Sequence, residues 1–164
     1  MQFGMRMGMP GVELRQFRSA DAARVWELHD AALDDAGVHG GRGPWEDDLR
    51  DIRATYIDSG GAFLVVLADG ELVGMGGLLR RSPGQCEIKR MRVHPRCQRQ
   101  GLGRLILEGL EELARELGFK VVRLDTTEEQ VAARRLYEGS GYRETGRRRT
   151  DRFVFIDFAK TLIP

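Results

Sequence analysis

The chain has 164 residues, of which 41% are hydrophobic and 31% are charged, and its net charge is +1. This length is typical of one domain, and the near-neutral charge gives no general attraction to nucleic acid or to a membrane surface. The two cysteines and three histidines are too scattered for a disulfide framework or a metal site. We therefore expect free thiols, no metal and a cytoplasmic protein.

The first half of the chain predicts a strand, two helices and a hairpin. Residues 1–11 repeat Met and Gly without a continuous apolar run, so we expect a flexible leader that is neither a signal peptide nor an anchor. Asp69-Gly70 is a strong hairpin signal between two apolar runs. The predicted elements are a strand at 12–17, a helix that begins near Ser19 or Asp21, a loop at 37–44, a helix at 45–57, and strands at 62–68 and 71–79.

The second half predicts a strand–helix–strand unit followed by a helix and two strands. Residues 86–94 alternate imperfectly, and the change of parity between Ile88 and Met91 indicates a β-bulge. Apolar residues recur at helical spacing over 102–117, which predicts an amphipathic helix and then a parallel strand at 120–125. The remaining predicted elements are a helix at 129–139 and strands at 142–148 and 152–162. No linker divides residues 12–164, so we expect a single domain there.

A basic, glycine-containing turn joins the strand at 86–94 to the long helix. Its sequence is Gln98-Arg99-Gln100-Gly101-Leu102-Gly103, followed by Arg104. Backbone N–H groups at such a turn, at the positive end of a helix dipole, favour phosphate. A tight turn without a ligand is the ordinary alternative. A dinucleotide fingerprint is disfavoured because Ile106 stands where its third glycine belongs, and a Walker lysine is missing.

The turn resembles the (Gln/Arg)-x-x-Gly-x-(Gly/Ala) signature of the GNAT N-acetyltransferase superfamily. A second motif of that family, Asn-x-x-Ala-x-x-Leu-Tyr-Glu-x-x-Gly-(Phe/Tyr), is matched over residues 130–142, with Gln130 in place of the asparagine. The resemblance implies an α/β fold of mixed α+β type. Its sheet would be mixed, mostly antiparallel, with about seven strands, a parallel splayed pair and about four helices. Residues 12–164 would form the acetyltransferase domain.

The resemblance also implies acetyl-CoA as acetyl donor and a primary amine of a small molecule or peptide as acceptor. Backbone groups of the turn would hold the pyrophosphate, and a free strand edge at Met91 and Val93 would pair with pantetheine. Core packing of these two side chains is compatible with that role. The residues expected to bind the cofactor are Met91, Arg92, Val93, Gln98, Arg99, Gln100, Gly101, Leu102, Gly103, Arg104, Gln130, Ala133 and Tyr137.

Direct transfer in a ternary complex needs an acid, an oxyanion donor and a base. By motif position Tyr137 is the expected general acid, with a core-filling aromatic as the alternative. The Met91 N–H is the expected oxyanion donor. Glu87 is the expected base, acting directly or through a water, and an ion pair with Lys89 or an arginine is an equal alternative. Asp125 is a weaker candidate for the base.

The acceptor stays open at the level of sequence. Acidic residues in the first two predicted helices would attract a cation, whereas Arg147, Arg148 and Arg149 would attract an anion. A CoA-binding sensor without turnover is the main alternative to an enzyme. Nucleic-acid or membrane partners are not expected. Phe153, Phe155 and Phe158 leave open either a homodimer through edge strands or packing against the helices.

Overall fold

In the part of the chain that the structure describes, eight strands form one mixed sheet with helices on both faces. The computed structural model describes residues 6–38 and 40–163. In chain order the strands are β1 (Arg6–Met9), β2 (Val12–Gln16), β3 (Ala62–Ala68), β4 (Glu71–Ser82), β5 (Gln85–Val93), β6 (Val121–Thr127), β7 (Arg143–Arg149) and β8 (Val154–Thr161). The α-helices are α1 (Ala22–Ala36), α2 (Asp47–Arg50), α3 (Leu102–Glu116) and α4 (Val131–Gly139).

The strand order across the sheet is β1-β2-β3-β4-β5-β6-β8-β7. Only the β5–β6 pair is parallel within the described part of the chain, because α3 returns the chain across one face between these strands. The other neighbouring strands are antiparallel, and the β3–β4 hairpin turns at Asp69 and Gly70. This topology confirms the predicted mixed, mostly antiparallel sheet with a parallel pair.

The N-terminal part of the sheet contains a strand that the sequence patterns did not predict. Arg6 pairs with Leu14 and Met9 pairs with Val12, so β1 and β2 form a hairpin at the sheet edge. Residues 6–9 were expected to belong to a flexible leader over 1–11. Residues 1–5 of that expected leader lie outside the described part.

The single helix predicted at 45–57 is broken into three short pieces. Pro44–Glu46 is a 3₁₀ turn, α2 follows, and Arg53–Ile57 forms a π-helical turn. The break falls at Asp51, whose backbone leaves the helical region (φ −142°, ψ 79°). Its carboxylate accepts a hydrogen bond from the Ala54 N–H at 3.0 Å, which replaces a helical hydrogen bond.

Two apolar cores lie on opposite faces of the sheet. On the face covered by α3, here called the α3 face, Leu64 and Val66 pack with Ile106 and Leu110. On the face covered by α1, here called the α1 face, the alternate residues of β3 and β4 pack with helix and turn residues. These are Phe63, Val65 and Met75 with Val25, Leu28 and Tyr56.

Glycines in β4 let helices approach the sheet closely. A Cβ at Gly76 would lie 2.7 Å from the Ile106 Cγ2 atom on the α3 face, and a Cβ at Gly77 would lie 2.6 Å from the Tyr56 ring on the α1 face. Both distances are shorter than a carbon–carbon contact allows. No helix among the described residues is long and apolar enough to cross a membrane.

Candidate active site

The parallel pair β5–β6 opens after its first three residue pairs. Gln85, Cys86 and Glu87 pair with Val121, Val122 and Arg123, and the pairing then ends. The predicted bulge follows at once, since Arg90 has a left-handed backbone (φ 59°) and the β4–β5 register shifts beside it. A bulge bends the strand that carries it. The edge of β5 from Ile88 to Val93 is therefore free of a strand partner on the β6 side.

The peptide groups along this edge alternate in direction. The His94 N–H donates to the Val73 carbonyl of β4 at 2.7 Å. Because successive residues alternate, Arg92 also faces β4, and Met91 and Val93 direct their peptide groups toward the gap. The Met91 carbonyl accepts a hydrogen bond from the Arg92 guanidinium at 3.0 Å. The Gln98 Nε2 also lies 3.5 Å from the Val93 carbonyl, so the edge at Met91 and Val93 lacks a strand partner while both carbonyls have side-chain donors.

The turn after β5 collects backbone donors. Arg99 and Gly101 both have left-handed backbones (φ 62° and 83°), so neighbouring N–H groups converge. The N–H groups of residues 98–104 make no hydrogen bond within residues 6–38 and 40–163. They include the first N–H groups of α3, which have no partner within a helix. Leu102 has its side chain buried in the core, so only its backbone is available.

A cleft of about 620 Å³ lies beside the free edge of β5. The turn residues 99–104 lie outside its lining, while the other predicted site residues line it. These are Glu87, Met91, Arg92, Val93, Gln98, Gln130, Ala133 and Tyr137. Its opposite wall is largely apolar and comes from α1, the following loop and β8: Ala32, Leu33, Ala36, Val38, Trp45 and Phe155, with Phe153 next to β8.

Tyr137 lies at the boundary between the cleft and the core. Its side chain is 5% exposed, and its ring contacts those of Tyr142 and Phe158 at centroid distances of 6.0 and 6.2 Å. Burial raises the pKa of Tyr137 to about 12, with the charge of Arg92 acting in the opposite direction. The hydroxyl is therefore neutral near pH 7 and able to donate a proton. Both roles considered for this residue, core packing and cleft lining, are compatible with its position.

Glu87 lines the cleft and is ion-paired. The Arg81 Nε donates to its carboxylate at 2.5 Å, and the Arg81 Nη2 also contacts it. The alternative of an ion pair with an arginine is thus realised, and Glu87 still reaches the cleft. Asp125, the weaker candidate, accepts a hydrogen bond from Arg148 at 2.7 Å.

Gln130 stands where the family motif has asparagine, and its carbonyl is used locally. The Gln130 Oε1 accepts a hydrogen bond from the Thr126 hydroxyl at 2.5 Å and from the Thr127 N–H at 3.2 Å. The amide side chain therefore joins β6 to the start of α4. Its Nε2 donor makes no hydrogen bond in the described part of the chain and remains available to a ligand.

Sequence reasoning missed a cluster of polar residues that ties the α2 segment to the bulge of β5. Arg90 donates to the two oxygens of Asp48 at 2.7 and 2.9 Å and to the Trp45 carbonyl at 2.6 Å. The Tyr56 hydroxyl donates to the same carboxylate at 2.6 Å. Burial alone would raise the pKa of Asp48, but these hydrogen bonds outweigh it and lower the pKa. This Arg90–Asp48 clamp holds Trp45 at the cleft.

Most acidic and basic side chains around the cleft are paired with one another. Glu46 is buried against His29, with 2.9 Å between its Oε1 and the His29 Nε2. Arg147 and Arg148 pair with Glu144 and Asp157. Of the aromatic residues considered for a dimer, Phe158 is buried in the core, while Phe153 and Phe155 line the cleft. The described residues contain no group of three His, Cys, Asp or Glu side chains that could hold a metal ion.

The sequence was compared with models of known families. Residues 23–142 match the model of the acetyltransferase (GNAT) family. The chain belongs to this family. The match includes the bulge, the glycine-containing turn at residues 98–103 and Tyr137, so the GNAT resemblance inferred from the two motifs is confirmed.

Curated relatives of this GNAT chain include N-acetyltransferase family 8 member 2 of Rattus norvegicus. It is 31% identical over 121 residues, which are 71% of this chain and 51% of the relative. The uncharacterized N-acetyltransferase YjgM of Escherichia coli is 34% identical over 98 residues, which are 58% of this chain and 59% of that protein. The chain thus spans about half the length of the curated relatives it matches.

Solved structures share the fold over nearly the whole chain. An acetyltransferase from Streptococcus agalactiae has a TM-score of 0.84 at 22% identity, covering 94% of this chain and 100% of that one. YncA of Salmonella typhimurium, a putative acetyltransferase solved with its cofactor acetyl-CoA, has a TM-score of 0.76 at 24% identity, covering 93% and 95%. These neighbours confirm the GNAT fold.

Proposed function

We propose that the protein transfers the acetyl group of acetyl-CoA to a primary amine of a small molecule or peptide, by direct attack in a ternary complex. The observation that carries this proposal is the continuity of the site. A turn with free N–H groups at residues 98–104 leads to the free edge of β5, and that edge leads to Tyr137, whose ring is buried.

The residues present fit the parts of this cofactor. The N–H groups of the turn and the dipole of α3 suit a pyrophosphate, and Arg99 and Arg104 add positive charge. The peptide groups of Met91 and Val93 suit an extended ligand with amide groups, as in the addition of a strand to a sheet edge. Gln130, just before α4, and Ala133, in the first turn of that helix, line the same cleft.

The reaction assigns one task to each polar group near Tyr137. Acetyl-CoA supplies an acetyl group in a thioester, so a nitrogen–carbon bond forms and a carbon–sulfur bond breaks. Glu87 accepts the proton that the amine loses, directly or through a water. The Met91 N–H donates to the carbonyl oxygen as negative charge develops on it, and Tyr137 donates its proton to the departing sulfur.

The test is product analysis with the purified protein, acetyl-CoA and a panel of amines. The proposal predicts an acetylated amine by mass spectrometry and one CoA released per acetyl group transferred. Initial rates measured while both substrates are varied should give intersecting lines, as a ternary complex requires, whereas parallel lines would indicate an acetylated enzyme. Acetyl-CoA binding without transfer to any amine would favour the sensor alternative.

A further inference from the structure

Arg92 is a half-buried cation in the cleft whose Nε is buried, and it has no carboxylate partner among the described residues. Within residues 6–38 and 40–163 its guanidinium makes one hydrogen bond, from Nη1 to the Met91 carbonyl, and its Nε is buried without any partner. A buried charged group without a partner is costly, so such groups are normally paired. The guanidinium therefore keeps unused N–H donors, and a ligand in the cleft would accept hydrogen bonds from them.

The position of Arg92 in β5 determines on which face of the sheet its side chain lies. Arg92 lies opposite Met75 of β4, and Met75 belongs to the core of the α1 face. Its neighbours Met91 and Val93 pack instead against the core of the α3 face. Arg92 therefore projects toward α1 and α2, away from α3 and the turn at residues 98–104. On that side the cleft is lined by Leu33 and Ala36 of α1 and by Trp45, so Arg92 meets a ligand that lies between β5 and these residues.

The charges around Arg92 leave it free for an anion. Of the other cations that line the cleft, Arg90 is held by Asp48, whereas Lys89 has no carboxylate partner among the described residues. Of the lining carboxylates, Glu87 and Asp125 are paired with Arg81 and Arg148, while Asp35 at the end of α1 is exposed and has no ion pair among the described residues. Burial and the charge of Arg90 both lower the pKa of Arg92, so a bound anion would offset an unfavourable environment.

The sequence alone left open whether the acceptor is cationic or anionic, and these contacts favour an anionic acceptor. Of the three arginines that suggested an anionic acceptor, Arg147 and Arg148 are paired with Glu144 and Asp157. Arg149 has no ion pair among the described residues, but it is exposed and lies outside the cleft lining. Arg92 and Lys89 are the lining cations without a carboxylate partner among the described residues. Of the two, Arg92 has a buried Nε that nothing satisfies, and it lines the cleft with Tyr137 and Glu87. The wall of Ala32, Leu33, Ala36, Val38 and Trp45 faces this polar end with apolar surface.

We propose that Arg92 binds a carboxylate of the acceptor, so that the preferred acceptors are amines that carry a carboxylate close to the amino group and an apolar side chain. This inference rests on the proposed acetyl transfer and names its substrate class. The guanidinium can form a bidentate pair with a carboxylate, which fixes the orientation of the acceptor. The amino group is then directed toward Glu87 and Tyr137, and the apolar wall contacts the side chain.

The experiment compares amines that differ only in the carboxylate: L-phenylalanine with phenethylamine, and L-leucine with isoamylamine. Each value of kcat/KM is calculated with the concentration of the unprotonated form of the amine. A charge-assisted pair contributes enough binding energy for a preference of about 10- to 100-fold for the carboxylate partner in the wild type. Arg92→Met should reduce this ratio to about one, and Arg92→Lys should retain part of it, since the charge remains without the planar fork.

Arg123→Met is the matched control, because Arg123 is an exposed arginine on β6 outside the cleft. It should preserve the wild-type ratio. Acetyl-CoA affinity and melting temperature of each variant show whether it is folded and binds the cofactor. The inference is overturned if the wild type shows no preference for the carboxylate partner, or if Arg92→Met keeps the preference.

A second readout separates this inference from the proposed function. Calorimetry measures binding of N-acetyl-L-phenylalanine and of N-acetylphenethylamine to the protein with CoA and without it. Tighter binding of the carboxylate compound, lost in Arg92→Met, supports the inference even if no turnover is seen. Equal or absent binding of both compounds, in a protein that acetylates another amine, would overturn the inference and leave the acetyltransferase proposal standing.

Discussion

Replacing Tyr137 with phenylalanine removes the proposed general acid and little else. The ring contacts with Tyr142 and Phe158 remain, because phenylalanine has the same ring. The Tyr137 hydroxyl makes no hydrogen bond in the described part of the chain, so its removal leaves no buried group unsatisfied. We expect the free energy of unfolding to change by about 0.5 kcal/mol or less.

The effect on catalysis should be much larger. General acid catalysis contributes about 10²- to 10⁴-fold, so Tyr137→Phe should lower kcat by at least about 100-fold, or about 2.7 kcal/mol of transition-state stabilisation. Acetyl-CoA affinity should stay within about twofold, since the hydroxyl acts on the departing sulfur only during reaction. Because the pKa of Tyr137 is about 12, the wild-type kcat should not fall with pH below about pH 10 through loss of this proton.

The assay is CoA release under saturating acetyl-CoA and amine, with binding measured separately by calorimetry. Tyr142→Phe is the matched control, because Tyr142 is another buried tyrosine in contact with Tyr137 but does not line the cleft. It should leave kcat within about twofold. A Tyr137→Phe variant with wild-type kcat would refute the role of the hydroxyl, and a variant with weakened acetyl-CoA binding would refute the claim that it acts only in the transition state.

Three further predictions concern the turn, the clamp and acid stability. Gly101→Val should weaken acetyl-CoA binding at least about tenfold in calorimetry. A β-branched residue disfavours the backbone angle φ 83° and would disrupt the converging N–H groups. Unchanged affinity would show that the turn is not part of the cofactor site. Arg90→Met should lower the free energy of unfolding, measured in urea, by about 2–3 kcal/mol, because Asp48 loses its cation. The control Arg50→Met, at an exposed ion pair, should change it by about 0.5 kcal/mol or less. Equal effects of the two substitutions would contradict the role of the clamp. For Asp21, burial alone would raise the pKa, but hydrogen bonds from Arg15, Arg18 and Arg24 outweigh it and hold the pKa below 3.8. The carboxylate thus stabilises the fold above its unfolded pKa and loses this effect as pH falls through the lower folded pKa. The difference in free energy of unfolding between wild type and Asp21→Asn should therefore decrease from about pH 5 to about pH 2. A difference that stays constant over this range would contradict the role of the Asp21 carboxylate.

The sequence was most informative where local patterns determine structure. Helical spacing predicted α3, Asp69-Gly70 predicted the β3–β4 turn, and the change of parity after Ile88 predicted the bulge of β5. Each of these signals depends on residues close together in the chain. The two motifs likewise placed Tyr137 and the turn without any knowledge of distant contacts.

Contacts between distant residues could not be predicted in this way. The Arg90–Asp48 clamp joins residues 42 positions apart, and it depends on a left-handed backbone at an arginine, which no propensity favours. The break at Asp51 follows from a side-chain hydrogen bond that competes with the helix. The alternatives for Glu87 were named from sequence, but only the fold showed that Arg81 is its partner.

The state of Arg92 also required the three-dimensional structure. From sequence it was one of many basic residues in a charged segment and was placed in the cofactor site. The bulge sets its side chain on the α1 face, opposite Met75, and Asp48, Glu87 and Asp125 are already paired with other arginines. Its free donors became visible only when those partners were known.

The most direct test of the account is calorimetric titration of the purified protein with acetyl-CoA, followed by addition of an amine panel to the same complex. The account predicts one site with a micromolar Kd and release of CoA only when an amine is present. Absence of acetyl-CoA binding would contradict the assignment of the turn at residues 98–104 and of the free β5 edge as the cofactor site.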